Sequence, residues 1–285
     1  FALSPPRETT AWAKETGSGG FDFGRAASLL TDAAARAGAA IMRHYHGETE
    51  VEIKPDSSPV TRADRDSEAV VLAALARLAP EVTVISEEGC GDLRALPRRF
   101  FLVDPLDGTK EFINKRSDFT VNIALIEDGR PAFGLVYAPA RALLALTVER
   151  GKAIEAELSP DEAGADFDGL APELLRVRPV PASGLTAVVS HSHLDPETET
   201  FLAKLKIAER TGLGSAVKFL SIARGEADVY PRFGPTMEWD TAAGQAVLEA
   251  AGGYVVGADG EPLRYGKTGQ GLRNPSFIAW GKTVA

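Results

Sequence analysis

Apolar and polar positions along this chain recur with two periods, and each change of period marks an element. From Phe23 to about Tyr45, Ala26, Leu29, Leu30, Ala33, Ala37, Ala40 and Ile41 return at helical spacing and predict a long amphipathic helix. His44 and His46 at its end are read as favourable C-terminal residues rather than ligands. Val51 to Lys54 alternates as a strand does and runs into the loop Pro55-Asp56-Ser57-Ser58-Pro59. A second helix starts in Val60-Thr61-Arg62-Ala63-Asp64 and continues through Val70, Leu72, Leu75 and Leu78. Thr61 and Asp64 stand at capping-box spacing, with Asp in place of Glu or Gln. Val82 to Ile85 is a β-branched strand, and Phe100 to Val103 a short buried one.

Phe119 to Ile126, Ala132 to Tyr137 and Ala142 to Val148 predict an antiparallel meander. Glu155 to Ala171, acidic and glycine-containing, reads as a solvated excursion. Strand and helix then alternate: a strand over Thr186 to Ser190, helices near 195–206 and 214–224, a brief strand at Val229-Tyr230, and a helix from Glu238 to Ala251 closed by Gly252-Gly253. The pattern predicts a flexible arm over 1–22, an α+β part over 23–184 with an antiparallel sheet, and an α/β part over 185–285 with a mixed sheet. No internal repeat interrupts it.

Composition narrows the function classes. The chain has 285 residues, 44% hydrophobic and 25% charged, enough for one large domain or two smaller ones. A formal charge of −9 argues against a broad nucleic-acid surface, so an anionic substrate needs local positive charge or metal ions. The single cysteine, Cys90, excludes an internal disulfide framework and fits a reducing compartment. No run approaches the roughly 18 apolar residues of a membrane span, and the start lacks a signal-peptide pattern. The chain begins at Phe1 rather than Met, so a preceding segment is expected.

The chemistry concentrates in Val103-Asp104-Pro105-Leu106-Asp107-Gly108-Thr109-Lys110-Glu111-Phe112. Pro105 and Gly108 should turn the chain sharply as the strand ends, so that Asp104 and Asp107 face one small volume. Two carboxylates that close repel unless a cation or a shared proton lies between them, which points to a hard metal. Gly108 and Thr109 open a helix whose first-turn amides attract phosphate. Asp-Gly is also a common turn signal, and an aspartate before a helix is often only a cap, so the segment alone fits either reading. Further carboxylates stand at element ends: Asp64 entering a helix, Glu87 ending a strand, and Asp240 in Trp239-Asp240-Thr241-Ala242-Ala243-Gly244. The Leu106 carbonyl lies between the two aspartates. No Cys/His cluster has zinc spacing and no glycine-rich segment has P-loop form.

Val103 to Phe112 resembles the signature of the lithium-sensitive, magnesium-dependent phosphatases of the inositol monophosphatase superfamily. Its Lys-Glu-Phe extension resembles the 3'(2'),5'-bisphosphate nucleotidase branch, of the bacterial CysQ type. The likeness continues in Lys54 to Asp64, Ile85 to Glu88, Lys218-Phe219, Tyr230 to Thr236, Trp239 to Gly244 and Asn274 to Phe277, covering roughly 23 to 282. It implies a layered α-β-α-β-α sugar-phosphatase-like fold of mixed α/β class. It also implies two or three Mg2+ ions held by Glu87, Asp104, Asp107, Asp240 and the Leu106 carbonyl, with Asp64 as a weaker ligand or a ligand-positioning group. Glu87 and Thr109, with Asp64, would serve the attacking water; Gly108 and Thr109 would hold phosphate, and Ser215, Lys218, Arg232 and His193 would contact the nucleotide. Where related nucleotidases often show Ser-Arg-Ser-His, this chain has Ser190-His191-Ser192-His193, so that arginine contact is missing; either His191 or Arg232 compensates or the specificity has moved.

The activity so implied is hydrolysis of the 3'-phosphate of 3'-phosphoadenosine 5'-phosphate to AMP, with the related phosphosulfate as a second substrate, in sulfur metabolism. An inositol monophosphate or fructose 1,6-bisphosphate phosphatase is the enzymatic alternative, and a non-catalytic nucleotide-binding regulator the alternative from another class. The expected partner is a small nucleotide bisphosphate, not a nucleic-acid polymer. The expected location is the cytoplasm, and the resemblance leaves open a homodimer and peripheral association with the cytoplasmic face of the inner membrane.

Overall fold

The computed structural model describes residues 20–47, 51–53, 59–89, 96–190, 195–257 and 259–282. Most of the expected arm, the loop from Pro55 to Ser58, Cys90, His191 and His193 lie outside the described residues. Helix α1 (Phe23–His46) starts where the Asp22 side chain accepts from the amide of Arg25, and it ends in Arg43, His44 and His46, which suit the negative end of its dipole. A two-stranded ribbon, β1 (Val51–Ile53) and β2 (Pro59–Thr61), leads into α2 (Arg62–Leu78). Thr61 and Asp64 form the capping box their spacing predicts.

The first sheet contains seven strands in chain order: β3 (Thr83–Ser86), β4 (Arg99–Asp107), β5 (Thr120–Glu127), β6 (Arg130–Ala138), β7 (Leu143–Glu149), β8 (Lys152–Glu157) and β9 (Glu173–Leu174). A short helix, α3 (Thr109–Ile113), follows β4. This sheet is antiparallel except at one edge, where β3 runs parallel to β4, so the wholly antiparallel expectation is corrected there. The acidic excursion from Glu155 is corrected too, because its first residues complete β8 against β7.

The second sheet is mixed, as expected. It is built from β10 (Leu185–Ser190), β11 (Ile207–Leu213), β12 (Val229–Arg232), β13 (Tyr254–Gly257) and β14 (Phe277–Trp280), in the order β11-β10-β12-β14-β13. Strands β11, β10 and β12 are parallel neighbours, whereas β14 is antiparallel to both β12 and β13. Helices α4 (Pro196–Leu202), α5 (Val217–Ala223) and α6 (Glu238–Ala250) complete the fold.

Three cores fix the layer order. Leu30 and Ile41 of α1 and Leu75 of α2 pack with Phe101, Val103, Ile123 and Phe133 on one face of the first sheet. The alternate residues Phe100, Leu102, Ala124 and Val136 point the other way, onto Phe219 and Leu220 of α5 and Ala242 and Val247 of α6. Val188, Tyr230, Val255 and Phe277 close that middle core from the second sheet, and Phe201 and Leu202 of α4 cover its far face beside Ala187, Ile278 and Trp280. The result is helix pair, sheet, helix pair, sheet, helix. Residues 100–103 of β4 are apolar without alternation because both faces of the strand are covered, and each fully buried phenylalanine is worth roughly 1.5–3 kcal/mol of transfer free energy. At Gly134 of β6 a Cβ would stand 2.4 Å from the Ala243 carbonyl oxygen, so glycine lets α6 lie against the sheet.

Candidate active site

Strand β4 does not stop at Val103. It continues through Pro105 to Asp107 with an irregular register between Asp104 and Asp107, and the turn comes at Gly108, whose φ is +89°. Proline is tolerated there because the ladder is already interrupted. The Asp104 carboxylate accepts from the Leu106 amide at 3.1 Å, and Ser67 of α2 donates its hydroxyl to the Pro105 carbonyl at 2.7 Å. A Cβ on Gly108 would stand 3.1 Å from the Asp118 carbonyl oxygen and from Ser215 Oγ, in a conformation that favours glycine in any case.

Asp107 joins the two halves of the molecule. Its Oδ2 accepts from the Ala216 amide at 2.8 Å, Asn122 Nδ2 at 3.2 Å and Thr120 Oγ1 at 3.4 Å, while its carbonyl accepts from Ser215 Oγ at 2.8 Å. Asn122 and Thr120 sit two apart on β5, opposite Asp104 and Asp107. Their polarity within an apolar run was the one sequence signal that could have marked them.

A cleft of about 340 Å³ opens at this turn. Glu87, Asp104, Leu106, Asp107, Gly108, Thr109 and Asp240 line it together with Ser215, Lys218 and Arg232. Asp64 stands behind that lining: its Oδ2 accepts from the Thr61 amide and hydroxyl at 2.8 and 2.7 Å, and Thr109 Oγ1 approaches its Oδ1 at 3.4 Å and the Leu106 carbonyl at 3.3 Å. Lys110, Glu111, Ser190, Phe219, Pro235 and Thr241 also reach the cleft; all six fall in the motifs named above, without a contact assigned to any of them.

Charge is distributed unevenly across it. Burial pushes Asp104 well above the usual carboxylate range, and the charges of Glu87, Asp107 and Asp240 push it further. Asp240 is raised in the same way, by burial and then by Asp107, and its Oδ2 accepts from the Met237 amide at 2.8 Å. Asp107 is raised by burial against the pull of Lys218, and Asp64 is raised to about 6, again chiefly by burial. Lys218 is buried and pushed down to about 8. Its Nζ donates to the Ser215 carbonyl at 2.6 Å and lies 5.2 Å from the centre of the Tyr230 ring. Arg232 Nη2 donates to the Pro235 carbonyl at 3.1 Å, while its buried Nε meets no acceptor.

An all-oxygen set in which buried Asp104 is repelled by the half-buried carboxylates of Glu87, Asp107 and Asp240 fits a hard divalent cation in charge and in donor type. Among the described residues no group of three histidine, cysteine, aspartate or glutamate side chains is gathered around one point, and the carboxylates line the cleft from separate elements.

A family model described as the inositol monophosphatase family matches residues 25–280. The chain is 43% identical over 248 residues to the 3'(2'),5'-bisphosphate nucleotidase CysQ of Shigella flexneri, covering 86% of this chain and 95% of the relative. It is 42% identical to the protein of the same name in Escherichia coli K12, over the same shares. Among solved structures, CysQ from Bacteroides thetaiotaomicron, a bacterial member of the inositol monophosphatase family, superposes with a TM-score of 0.77 at 39% identity, covering 92% of this chain and 98% of that one. An inositol monophosphatase from Zymomonas mobilis gives a TM-score of 0.68 at 27% identity, covering 89% and 91%. Among the described residues no helix is long and apolar enough to cross a membrane.

Proposed function

We propose, on the premise that this chain belongs to the inositol monophosphatase family, that it is a magnesium-dependent 3'(2'),5'-bisphosphate nucleotidase. Its reaction is removal of the 3'-phosphate of adenosine 3',5'-bisphosphate to leave AMP, with the corresponding phosphosulfate as a second substrate. The observation that carries this reading is the division of one cleft between the carboxylates of Glu87, Asp104, Asp107 and Asp240 and the buried cations Lys218 and Arg232. A simple monoester leaves the cationic side with nothing to neutralise, and the choice of a nucleotide over a sugar bisphosphate rests on the likeness to the nucleotidases. A bisphosphate fills both sides.

Glu87, Asp104, Asp107, Asp240 and the Leu106 carbonyl would hold two or three Mg2+ ions. When bound, these supply neutralisation of the phosphate and acidification of a water. Glu87 and Thr109 would orient the attacking water opposite the 3'-oxygen, and Asp64 would hold the Thr109 hydroxyl in place. The water oxygen bonds to phosphorus as the P–O3' bond breaks, its proton passes to Glu87, and the leaving oxygen is protonated from solvent, with no phosphoenzyme. Gly108 and the Thr109 amide face the transferred phosphate, while Lys218 and Arg232, with the unpartnered Nε of the latter, grip the phosphate that stays. Ser215 orders that wall through its bond to the Asp107 carbonyl. His193, outside the described residues, stays in the proposal as a nucleotide contact. Cytoplasmic residence belongs to the same reading, in keeping with a lone cysteine.

Phosphate release from adenosine 3',5'-bisphosphate, inositol 1-phosphate and fructose 1,6-bisphosphate, measured in parallel with magnesium and with chelator, tests this. The nucleotide should be preferred and chelator should abolish turnover. Preference for either sugar ester overturns the substrate, and turnover in chelator overturns the chemistry.

A further inference from the structure

Two side chains that the reaction leaves unused grip the turn leading into α6. Glu238 is completely buried, and its carboxylate accepts from the amides of Gly266 at 2.6 Å and Lys267 at 2.9 Å and pairs with Lys267 Nζ at 2.7 Å. Asn274 works from the other side. Its Nδ2 donates to the Met237 carbonyl at 2.7 Å, Thr241 Oγ1 at 2.9 Å and Thr236 Oγ1 at 3.2 Å. Its Oδ1 faces Lys267 Nζ at 3.4 Å, so one cation neutralises Glu238 and also dictates which way the Asn274 amide lies. Backbone bonds close the same seam, from the Glu238 amide to the Leu272 carbonyl and from the Asn274 amide to the Thr236 carbonyl, each 2.9 Å.

A buried ion pair is a poor device for stability alone, since an apolar pair of the same volume usually serves as well or better. What this one holds is the wall of the cleft. The gripped segment carries Asp240 in the first turn of α6, with Thr236 and Thr241 beside it on the lining. We propose that Asn274 and Glu238, tied together through Lys267, are positioning residues that hold the Asp240 carboxylate where a divalent cation needs it. The proposal rests on the metal-dependent reading above. It also gives a role to the Asn274-Pro275-Ser276-Phe277 motif, which the chemistry left unassigned.

The test uses the full chain stripped of metal, with magnesium binding followed by calorimetry and with kcat and KM measured separately. Asn274→Ala should weaken magnesium binding about tenfold and lower kcat about tenfold. KM for the bisphosphate should change less than about threefold, because Lys218 and Arg232 stand on α5 and β12. Arg178→Ala is the control: it breaks a partly buried ion pair to Asp228 at 2.7 Å, touches neither the clasp nor the cleft, and should leave all three constants alone. Should Asn274→Ala not fold, Lys267→Met, which keeps the Lys267 amide bond to Glu238 and both backbone bonds of the seam, should shift magnesium affinity and kcat in the same direction by a smaller factor. Wild-type magnesium affinity in folded Asn274→Ala or Lys267→Met overturns the proposal, as does an equal loss in Arg178→Ala. Failure of the metal-dependent reading is distinguishable, since the unsubstituted protein would then bind no magnesium, and the clasp proposal falls with it.

Discussion

Asp107 works on both sides of its own carboxylate. Oδ2 is committed to three donors from β5 and the turn before α5, which leaves Oδ1 for the cleft. Asp107→Asn can therefore keep every one of those bonds by placing its oxygen where Oδ2 was, with the amide nitrogen turned into the cleft. The fold should survive with its circular dichroism unchanged, while magnesium-dependent phosphate release falls by about 100-fold or more. Near-normal turnover in the folded variant would remove Asp107 from the machinery. The acidic residues lining the candidate cleft were legible because carboxylates at element ends have a chemistry that can be named without coordinates. Asn122, Glu238 and Asn274 were not legible, because their meaning lies in partners up to 38 residues away along the chain.

Helix α6 carries a polar seam through the middle core, Thr241, Gln245 and Glu249, spaced by one turn each and so on one face. Tyr265 OH donates to Gln245 Oε1 at 2.7 Å and lies 3.1 Å from Thr241 Oγ1, and Gln245 Nε2 donates to Glu249 Oε1 at 2.7 Å. Burial raises Glu249 from its ordinary 4.5 to about 7, against the pull of Arg130 and Arg264. Folding thus favours the protonated acid. The cost of its charge is absent below pH 4.5, grows as pH rises, and is complete above about pH 7. Glu249→Gln keeps the bond from Gln245 and should stabilise the fold by about 1–2 kcal/mol near pH 8, allowing for the water that reaches its exposed edge, with the gain shrinking towards pH 4.5. Urea midpoints at both pH values decide it, and an equal gain at each would show that Glu249 does not titrate in this range. Elements with a strong period were readable in advance, α1 and the meander above all. Strand β11 was not, because Ile207-Ala208-Glu209-Arg210-Thr211-Gly212-Leu213 is polar and open at a sheet edge, and only its parallel pairing with β10 makes it a strand.

At the scale of the whole molecule, the layered fold converts separate chain segments into a single charged cleft. Glu87 follows β3, Asp104 and Asp107 end β4 and Asp240 opens α6, and the middle core holds these elements together whether or not their charges repel. Stability and function are opposed there. Magnesium that binds only the folded protein should raise its melting temperature over that in chelator, by an amount equivalent to about 2.7 kcal/mol when free magnesium is 100 times its dissociation constant. Asp104→Asn separates the two effects. Its carboxyl is buried and repelled by Glu87, Asp107 and Asp240, and an asparagine oxygen can keep the bond from the Leu106 amide. In chelator near pH 8 this variant should melt above the unsubstituted protein; with magnesium it should gain little and lose turnover. A lower melting temperature in chelator would mean that mutual repulsion of the carboxylates is not what the fold is holding in check.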